Sequence, residues 1–229
     1  MALSEAEIAR YARQLLLPGF GAATQEVLRA ARVHVVGAGE VAGPALIYLA
    51  SAGIGTIYLD DALDVGEGDG AAWLYRADQV GEPRLLAAIA ALRGASAFPR
   101  LRPHATGAET TAALVCPASH GLAREAAERS RAARIPHVVA VAEGDGGEVV
   151  TVPPGAPCFA CGSRPGVGMA PRPGSAAALG ALAATEILLV IAGAAQDLAG
   201  RRIELVQGQP RSRATTHVPG CPCTQGRGY

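Results

Sequence analysis

Apolar residues recur at two different spacings along the chain, and the alternation between them predicts the fold class. Short β-branched runs that end near glycine predict buried strands, whereas apolar residues three or four positions apart predict helices. The predicted helices lie at 4–16, 24–31, 43–52, 83–93, 121–133 and 176–195. The predicted strands lie at 33–36, 56–59, 101–104, 113–116, 136–141 and 148–152, with two more within 201–217. This pattern predicts an α/β fold with a Rossmann-like, mainly parallel sheet flanked by helices and a C-terminal antiparallel tail.

Composition and charge exclude several classes of partner. The 229 residues include 20 basic and 20 acidic side chains, and only 4% are aromatic, so neither a basic face nor a base-stacking surface is expected. The N-terminus has no signal-peptide pattern. The apolar stretch at 176–195 carries Glu186 at its centre, and a charge there is costly in lipid. We therefore expect a core helix, no nucleic-acid or membrane partner, and a cytoplasmic location.

A glycine-rich turn follows the first predicted strand and precedes a helix. Residues 37–42, Gly-Ala-Gly-Glu-Val-Ala, fit G-x-G-x-x-G/A, a turn whose following helix offers N–H groups to phosphate. Asp60 ends the second strand 23 residues after Gly37, where a ribose-binding carboxylate is expected. Nucleotide-binding positions are therefore predicted at Gly37, Gly39, Ala42 and Asp60. Alternatively, the glycines only allow close packing of strand and helix, and Asp60 is a solvated strand end. Glu40 would also place a carboxylate in the phosphate site and repel phosphate there.

Four of the five cysteines form two close pairs. Cys158 and Cys161, together with Cys221 and Cys223, offer the four thiolates of a structural tetrahedral zinc site. Disulfides are uncommon in cytosolic proteins, which favours zinc over disulfide bonds. Free or redox-active thiols are the alternative to zinc. Cys116 is expected to be a buried core residue, and the five histidines are interpreted as structural.

Several segments spread along the chain resemble the ThiF/MoeB/HesA family, relatives of the ubiquitin-activating enzymes. They are Arg-Tyr-Ala-Arg-Gln at 10–14, Leu-Pro-Gly-Phe-Gly at 17–21, the glycine turn, residues 48–56, Pro-Cys-Phe-Ala-Cys at 157–161 and Ala-Thr-Glu at 184–186. The resemblance implies adenylation, with ATP and Mg²⁺, of the C-terminal glycine of a ubiquitin-like or sulfur-carrier protein. It also implies a homodimer, or a heterodimer with one degraded subunit.

The resemblance further implies one domain over residues 1–229. Within it, residues 1–31 correspond to dimer-type helices, residues 32–152 to a nucleotide-binding-type core, and residues 153–229 to a C-terminal part tethered by zinc.

The same resemblance identifies positions at which this chain departs from the family. The family's asparagine and phosphate-contacting arginine would fall at 68–72, where the sequence is Gly-Asp-Gly-Ala-Ala. Arg84 replaces a phosphate-gripping lysine, and the resemblance therefore implies that it is a further nucleotide-binding position. Ala118 replaces a magnesium-associated aspartate. Because phosphoryl-type chemistry depends on positioned cations and a metal, these replacements argue against ATP–Mg²⁺ binding and predict a catalytically impaired subunit.

Arg13 matches an arginine that, in relatives, reaches the ATP phosphates of the partner subunit. It could therefore act in trans to a partner's site, or else pair with an acid on its own helix. Three functions remain open at this point. They are an impaired subunit that dimerises and assists a partner, an active adenylyltransferase in which Arg84 and Arg76 replace the lost cations, and a small-molecule binder that uses Glu40 and Asp60.

Overall fold

The computed structural model describes residues 3–96, 98–105, 108–163 and 168–224. The strands are β1 Arg32–Val36, β2 Thr56–Asp60, β3 Arg100–Pro103, β4 Ala112–Val115, β5 His137–Glu143, β6 Gly146–Val152, β7 Arg201–Val206 and β8 Gln209–Ala214. The α-helices are α1 Glu5–Leu15, α2 Gly21–Ala30, α3 Ala42–Ala52, α4 Arg84–Ala95, α5 His120–Ala132 and α6 Pro173–Leu189.

The strands form one mixed sheet in the order β3-β2-β1-β4-β5-β6-β7-β8. The pairs from β3 to β5 are parallel, and those from β5 to β8 are antiparallel. The predicted fold class, with a parallel Rossmann-like part followed by antiparallel C-terminal strands, is confirmed. Strand β1 lies between β2 and β4, so the strand order runs outward from it in both directions across the sheet. At such a switch point a crevice opens at the carboxyl ends of the strands.

Strand alternation assigns the side chains of the sheet to two separate cores. One face contributes Val33, Val35 and Ile57 to a core that also includes residues of α3, α4 and α6. On the other face, α5 packs with Val115 and Val139 in a second cluster. The two apolar layers hold the carboxyl ends of the parallel strands in a fixed arrangement, and the cavity described below opens there.

Helix α6 and the following π-helical turn form an apolar segment, Pro173–Ala194, whose length and composition would allow it to cross a membrane. Half of this segment is buried within the fold. Glu186 is 3% exposed and accepts hydrogen bonds from Thr151 Oγ1 at 2.7 Å and Arg201 Nε at 3.1 Å. The prediction of a core helix is therefore confirmed.

Residues 60–75 show no clear apolar period, so the sequence predicts a loop or a weak helix there, and the structure agrees with this prediction. The segment at 60–75 contains a 3₁₀-helix, Glu67–Ala72, which places one acidic side chain in the protein interior. The apolar helix was predicted to reach residue 195 but leaves α-helical geometry after Leu189. Gly193, at φ 104°, adopts a left-handed conformation that breaks the helical pattern.

Candidate functional site

A cavity of about 420 Å³ opens at the carboxyl ends of β1, β2 and β4. Of the predicted nucleotide-binding residues, Gly37, Gly39, Asp60 and Arg84 line this cavity. Ala42 is the first residue of α3 and is buried beneath the turn. The structure thus brings most of the predicted residues to one place, where a Rossmann-like sheet generally binds its ligands.

The glycine turn packs directly against the end of β4. Gly37 has φ +96°, and a Cβ added to it would lie 2.2 Å from the carbonyl oxygen of Cys116. Its backbone N–H donates to the carbonyl oxygen of Asp60 at 2.8 Å. Glycine is therefore required at position 37 both for the backbone conformation and for the close approach of the backbone that follows β4.

Asp61 is a residue of this site that the sequence analysis missed. One oxygen of its buried carboxylate accepts the backbone N–H of Ala38 at 2.7 Å, and the other accepts that of Leu63 at 2.8 Å. Asp60, its neighbour, turns the other way, with its carboxylate half exposed and 3.7 Å from Nε2 of His34. The signal in the sequence was the pair of adjacent acids, because successive side chains at a strand end point in opposite directions. One N–H of the glycine turn is therefore already bonded to a carboxylate.

Arg84, which the family resemblance aligns with a lysine, forms a bidentate ion pair in the cavity. Nε and Nη2 of Arg84 donate to the two carboxylate oxygens of Asp69 at 2.8 and 2.7 Å. A third contact joins Arg84 Nη1 to Asp61 Oδ2 at 3.9 Å. The side chains of Arg84 and Asp69 are 15% and 7% exposed, so the pair is largely shielded from water. Arg84 reaches the glycine turn, but two acids share its charge.

Glu40 adds a further carboxyl group to the cavity. Its Oε2 atom is buried and has no hydrogen-bond partner among the described residues. Burial, together with the nearby charge of Asp69, raises the pKa of Glu40. Among the described residues, five carboxyl groups and two guanidinium groups line the cavity, those of Glu40, Asp60, Asp61, Asp69, Glu125, Arg84 and Arg129. Its charged groups are therefore predominantly acidic.

The opposite wall of the cavity is apolar. Cys116, Pro117 and Ala118 follow β4 and line it. Burial raises the pKa of the Cys116 thiol to about 12, so it remains protonated at neutral pH. Cys116 is buried as predicted. Arg76, considered as a replacement cation, is instead exposed and ion-paired with Asp78.

The remaining four cysteines, here called the cysteine cluster, converge at the C-terminal end of the chain. Their Sγ atoms are separated by 3.8 Å for Cys158 and Cys161, 3.4 Å for Cys158 and Cys221, 3.3 Å for Cys161 and Cys223, and 3.5 Å for Cys221 and Cys223. Four thiolates bonded to Zn²⁺ at about 2.3 Å lie roughly 3.8 Å from one another. The cluster therefore has the donors and approximate spacing to hold a metal ion, and the C-x-C pair is compatible with that arrangement.

A buried arginine attaches the cysteine cluster to the sheet. Arg202 on β7 is fully buried and forms an ion pair with Glu148 on β6. It also donates to the carbonyl oxygen of Phe159, between the first two cysteines, at 3.0 Å, and to Thr215 Oγ1 at 3.3 Å. Local sequence spacing does not reveal this network, because its partners are far apart along the chain.

Arg13 lies exposed on α1 and makes no ion pair with any residue that the structure describes. The helix carries two acids, Glu5 and Glu7, and neither forms an ion pair with Arg13 in the described structure. Glu7 instead pairs with Arg29 at 3.3 Å and accepts a hydrogen bond from the backbone N–H of Ser4 at 2.8 Å. The alternative in which Arg13 pairs with an acid on its own helix is therefore not supported.

The mixed sheet, the glycine turn and the cavity at the switch point define a Rossmann-like α/β fold with a ligand crevice. Residues 11–223 match the ThiF family, and the chain belongs to that family. The predicted resemblance to ThiF, MoeB and HesA proteins is thus confirmed.

Relatives and solved structures agree with this family assignment. The heterocyst protein HesA of Trichormus variabilis is 41% identical over 87 residues, covering 38% of this chain and 33% of HesA. "Adenylyltransferase and sulfurtransferase uba4" of Aspergillus terreus is 40% identical over 104 residues, covering 44% of this chain and 21% of that protein. The aligned parts thus span a third or less of these relatives.

The crystal structure of E. coli MccB with MccA-N7isoASN superimposes with a TM-score of 0.81. The two proteins are 19% identical, and the match covers 96% of this chain and 75% of MccB. At this level of identity the similarity supports the fold.

Proposed function

We propose that this chain is a ThiF-family subunit with little or no adenylating activity of its own, which acts by pairing with a second copy or with an intact paralogue. The observation that carries this proposal is the bidentate bond between Arg84 and Asp69. A cation neutralised by a buried carboxylate is not free to stabilise the charge that develops on a phosphoryl group.

The rest of the cavity supports the same conclusion. A phosphate group entering the glycine turn would meet Glu40 and the carboxylates of Asp61 and Asp69, and repulsion between like charges is strong where water is excluded. The N–H of Ala38 is also engaged. ATP would therefore need to displace bonds within the protein as well as overcome charge repulsion.

The proposed partner surface includes the N-terminal helix. Arg13 is exposed on α1, and Ile8, Leu16 and Leu17 on and after this helix are exposed apolar side chains. Exposed apolar groups beside an unpaired arginine suit a protein contact, in which Arg13 would reach a neighbouring active site. The proposed carrier or peptide partner with a C-terminal glycine rests on the family resemblance, and it agrees with the solved complex of MccB with N-formylated MccA.

Zinc is the proposed occupant of the cysteine cluster, where it would be structural. Four cysteine ligands close the coordination sphere and leave no position for a substrate. The cytoplasmic location remains a prediction.

The central test is binding of ATP with Mg²⁺, measured by calorimetry alongside ATP–pyrophosphate exchange. We expect the purified chain to bind ATP with a Kd weaker than about 1 mM and to show no exchange. A double variant, Glu40→Gln with Asp69→Asn, should bind ATP at least about tenfold more tightly, because it removes two negative charges and releases Arg84. Asp78→Asn removes an exposed acid outside the cavity and is the matched control. Micromolar binding with exchange by the wild-type chain would favour the active adenylyltransferase instead.

The role of Arg13 is tested by mixing the chain with an intact ThiF-family paralogue. We expect exchange by the paralogue to rise at least about tenfold, since an arginine supplied in trans contributes strongly to phosphoryl-type reactions. Arg13→Ala should abolish the increase while the two proteins still co-elute in size-exclusion chromatography. Arg10→Ala, which removes a neighbouring arginine of the same helix, is the control.

A second candidate function is favoured by the unbonded Oε2 atom of Glu40. A buried carboxylate oxygen in an acidic cavity suits a cationic or hydroxylated small molecule. Mass spectrometry of the natively purified chain would detect such a ligand. Its loss in Glu40→Gln, but not in Asp78→Asn, would assign it to this cavity.

A further inference from the structure

Three metal-binding side chains meet where strands β1, β2 and β3 approach their carboxyl ends. His34 lies on β1, Asp60 is the last residue of β2, and His104 immediately follows β3. The backbone N–H of His104 donates to the carbonyl oxygen of Leu59 at 2.7 Å, which fixes the position of His104 beside β2. One ring nitrogen from each histidine and one carboxylate oxygen of Asp60 lie within 4.8 Å of one another.

The separations within this group are near those of a metal site. His34 Nε2 and Asp60 Oδ2 are 3.7 Å apart, and the two imidazole rings stack with centroids 3.7 Å apart and planes inclined by 9°. Donors bonded to one tetrahedral zinc ion at 2.0–2.2 Å would be separated by about 3.4 Å. Because the two ring planes are nearly parallel, their in-plane nitrogen lone pairs do not meet at one point. Ligation of one ion therefore requires the His104 ring to rotate out of the stack, and His104 stands just past the end of its strand.

A second observation points to a ligand at the same place. Nε2 of His34 is buried and has no hydrogen-bond partner among the described residues. Buried polar atoms in folded proteins nearly always have a partner, so an unbonded ring nitrogen requires an explanation. A metal ion would use its lone pair, and the half-exposed carboxylate of Asp60 leaves a route to that ion from solvent.

We propose that His34, Asp60 and His104 bind a transition-metal dication, with Zn²⁺ and Co²⁺ as the probes. Two imidazoles and one carboxylate suit such ions, and three protein donors leave at least one coordination position open. This site is chemically distinct from the cysteine cluster, which offers only sulfur. Asp60 also lines the main cavity, so a bound ion would add positive charge at its acidic edge.

The test begins with the full chain carrying one equivalent of Zn²⁺ at the cysteine cluster, followed by titration with Co²⁺ or Zn²⁺. Calorimetry should detect one further equivalent with a Kd in the micromolar range. Bound Co²⁺ should produce weak d–d absorption without the sulfur-to-cobalt charge-transfer bands of a thiolate site. These spectra identify nitrogen and oxygen ligands independently of any catalytic activity.

Single variants then assign the ligands. His104→Ala and His34→Gln should each weaken the second equivalent at least about tenfold, since the loss of even an indirect partner of a metal ligand costs roughly 10–100-fold in affinity. His120→Ala, a histidine at the start of α5, is the control and should bind as the wild type does. If His34→Gln does not fold, the His104→Ala variant tests the proposal by itself, because His104 lies beyond the end of β3. The proposal is overturned if the wild type takes up no second equivalent, or if His104→Ala binds it with unchanged affinity.

Discussion

One largely buried arginine–carboxylate pair lies in the cavity and another lies beside the cysteine cluster, but the two pairs have opposite consequences. Arg202 pairs with Glu148 and also bonds the backbone beside two cysteines, so it supports a set of converging metal donors. Arg84 pairs with Asp69 at the glycine turn and is thereby withdrawn from any incoming anion. The same interaction can thus hold a site together or neutralise it, according to whether the arginine supports the binding groups or is itself the binding group.

The two regions also differ in the contacts that stabilise the fold around them. The cysteine cluster joins residues 221–223 to a loop between β6 and α6, so its members connect segments that are distant along the chain. The cavity, by contrast, lies on a scaffold that two apolar cores already stabilise. A substitution of a charged residue in the cavity is therefore expected to leave the architecture intact even where it lowers stability, whereas the loss of a cysteine removes a connection between distant segments.

The largest expected effect follows from breaking the cysteine cluster. Cys161→Ser should remove the bound metal and lower the melting temperature by at least about 10 °C, because binding energy at a structural metal site is folding energy. Metal content by mass spectrometry and thermal unfolding measure the two effects. Cys116→Ala, a cysteine outside the cluster, should retain one equivalent of metal. A Cys161→Ser protein with full metal content would contradict the assignment.

A smaller loss should follow when the cavity's ion pair is broken. Asp69→Asn leaves the largely buried Arg84 guanidinium without its main partner and should destabilise the fold by about 3 kcal/mol. Urea unfolding measures this difference. The matched control, Asp78→Asn, breaks the exposed pair with Arg76 and should produce no measurable change, since such surface pairs contribute little. Equal effects of the two substitutions would show that burial of the Arg84 pair has no energetic importance.

The sequence predicted the fold more completely than the site. Strands β1 and β2 and the glycine turn carry their own local pattern, and hydrophobic spacing is sufficient to identify them. The pairing of Asp69 with Arg84 carries no such pattern, because a 3₁₀-helix brings together residues 15 positions apart.

The same limit applies to the histidines. His34 and His104 were interpreted singly as structural, and only the placement of β2 beside both β1 and β3 brings them into contact. Contacts that depend on the packing of separate elements could not be predicted from local spacing.

The smallest expected effect is the change in stability when Glu40 is replaced. This change is expected to be a gain, whereas the replacement of a cysteine of the cluster is expected to lower stability. Burial and the charge of Asp69 raise the pKa of Glu40 above its ordinary value of 4.5, so the folded state holds the proton more tightly than the unfolded chain does. Stability from this group is thus present at low pH and is lost as the pH rises through the folded pKa. Glu40→Gln should therefore stabilise the protein near neutral pH, by about 1 kcal/mol or less, and the two stability curves should converge below about pH 4.5.

Urea unfolding at a series of pH values measures this difference. Glu125→Gln, which changes an exposed carboxyl group lining the same cavity, is the control and should have a smaller effect. A Glu40→Gln protein that is less stable than the wild type at pH 7 would mean that the carboxylate contributes a favourable interaction there. The cavity would then resemble the cysteine cluster in having charged and polar groups that support the fold, and the contrast between the two regions would not hold.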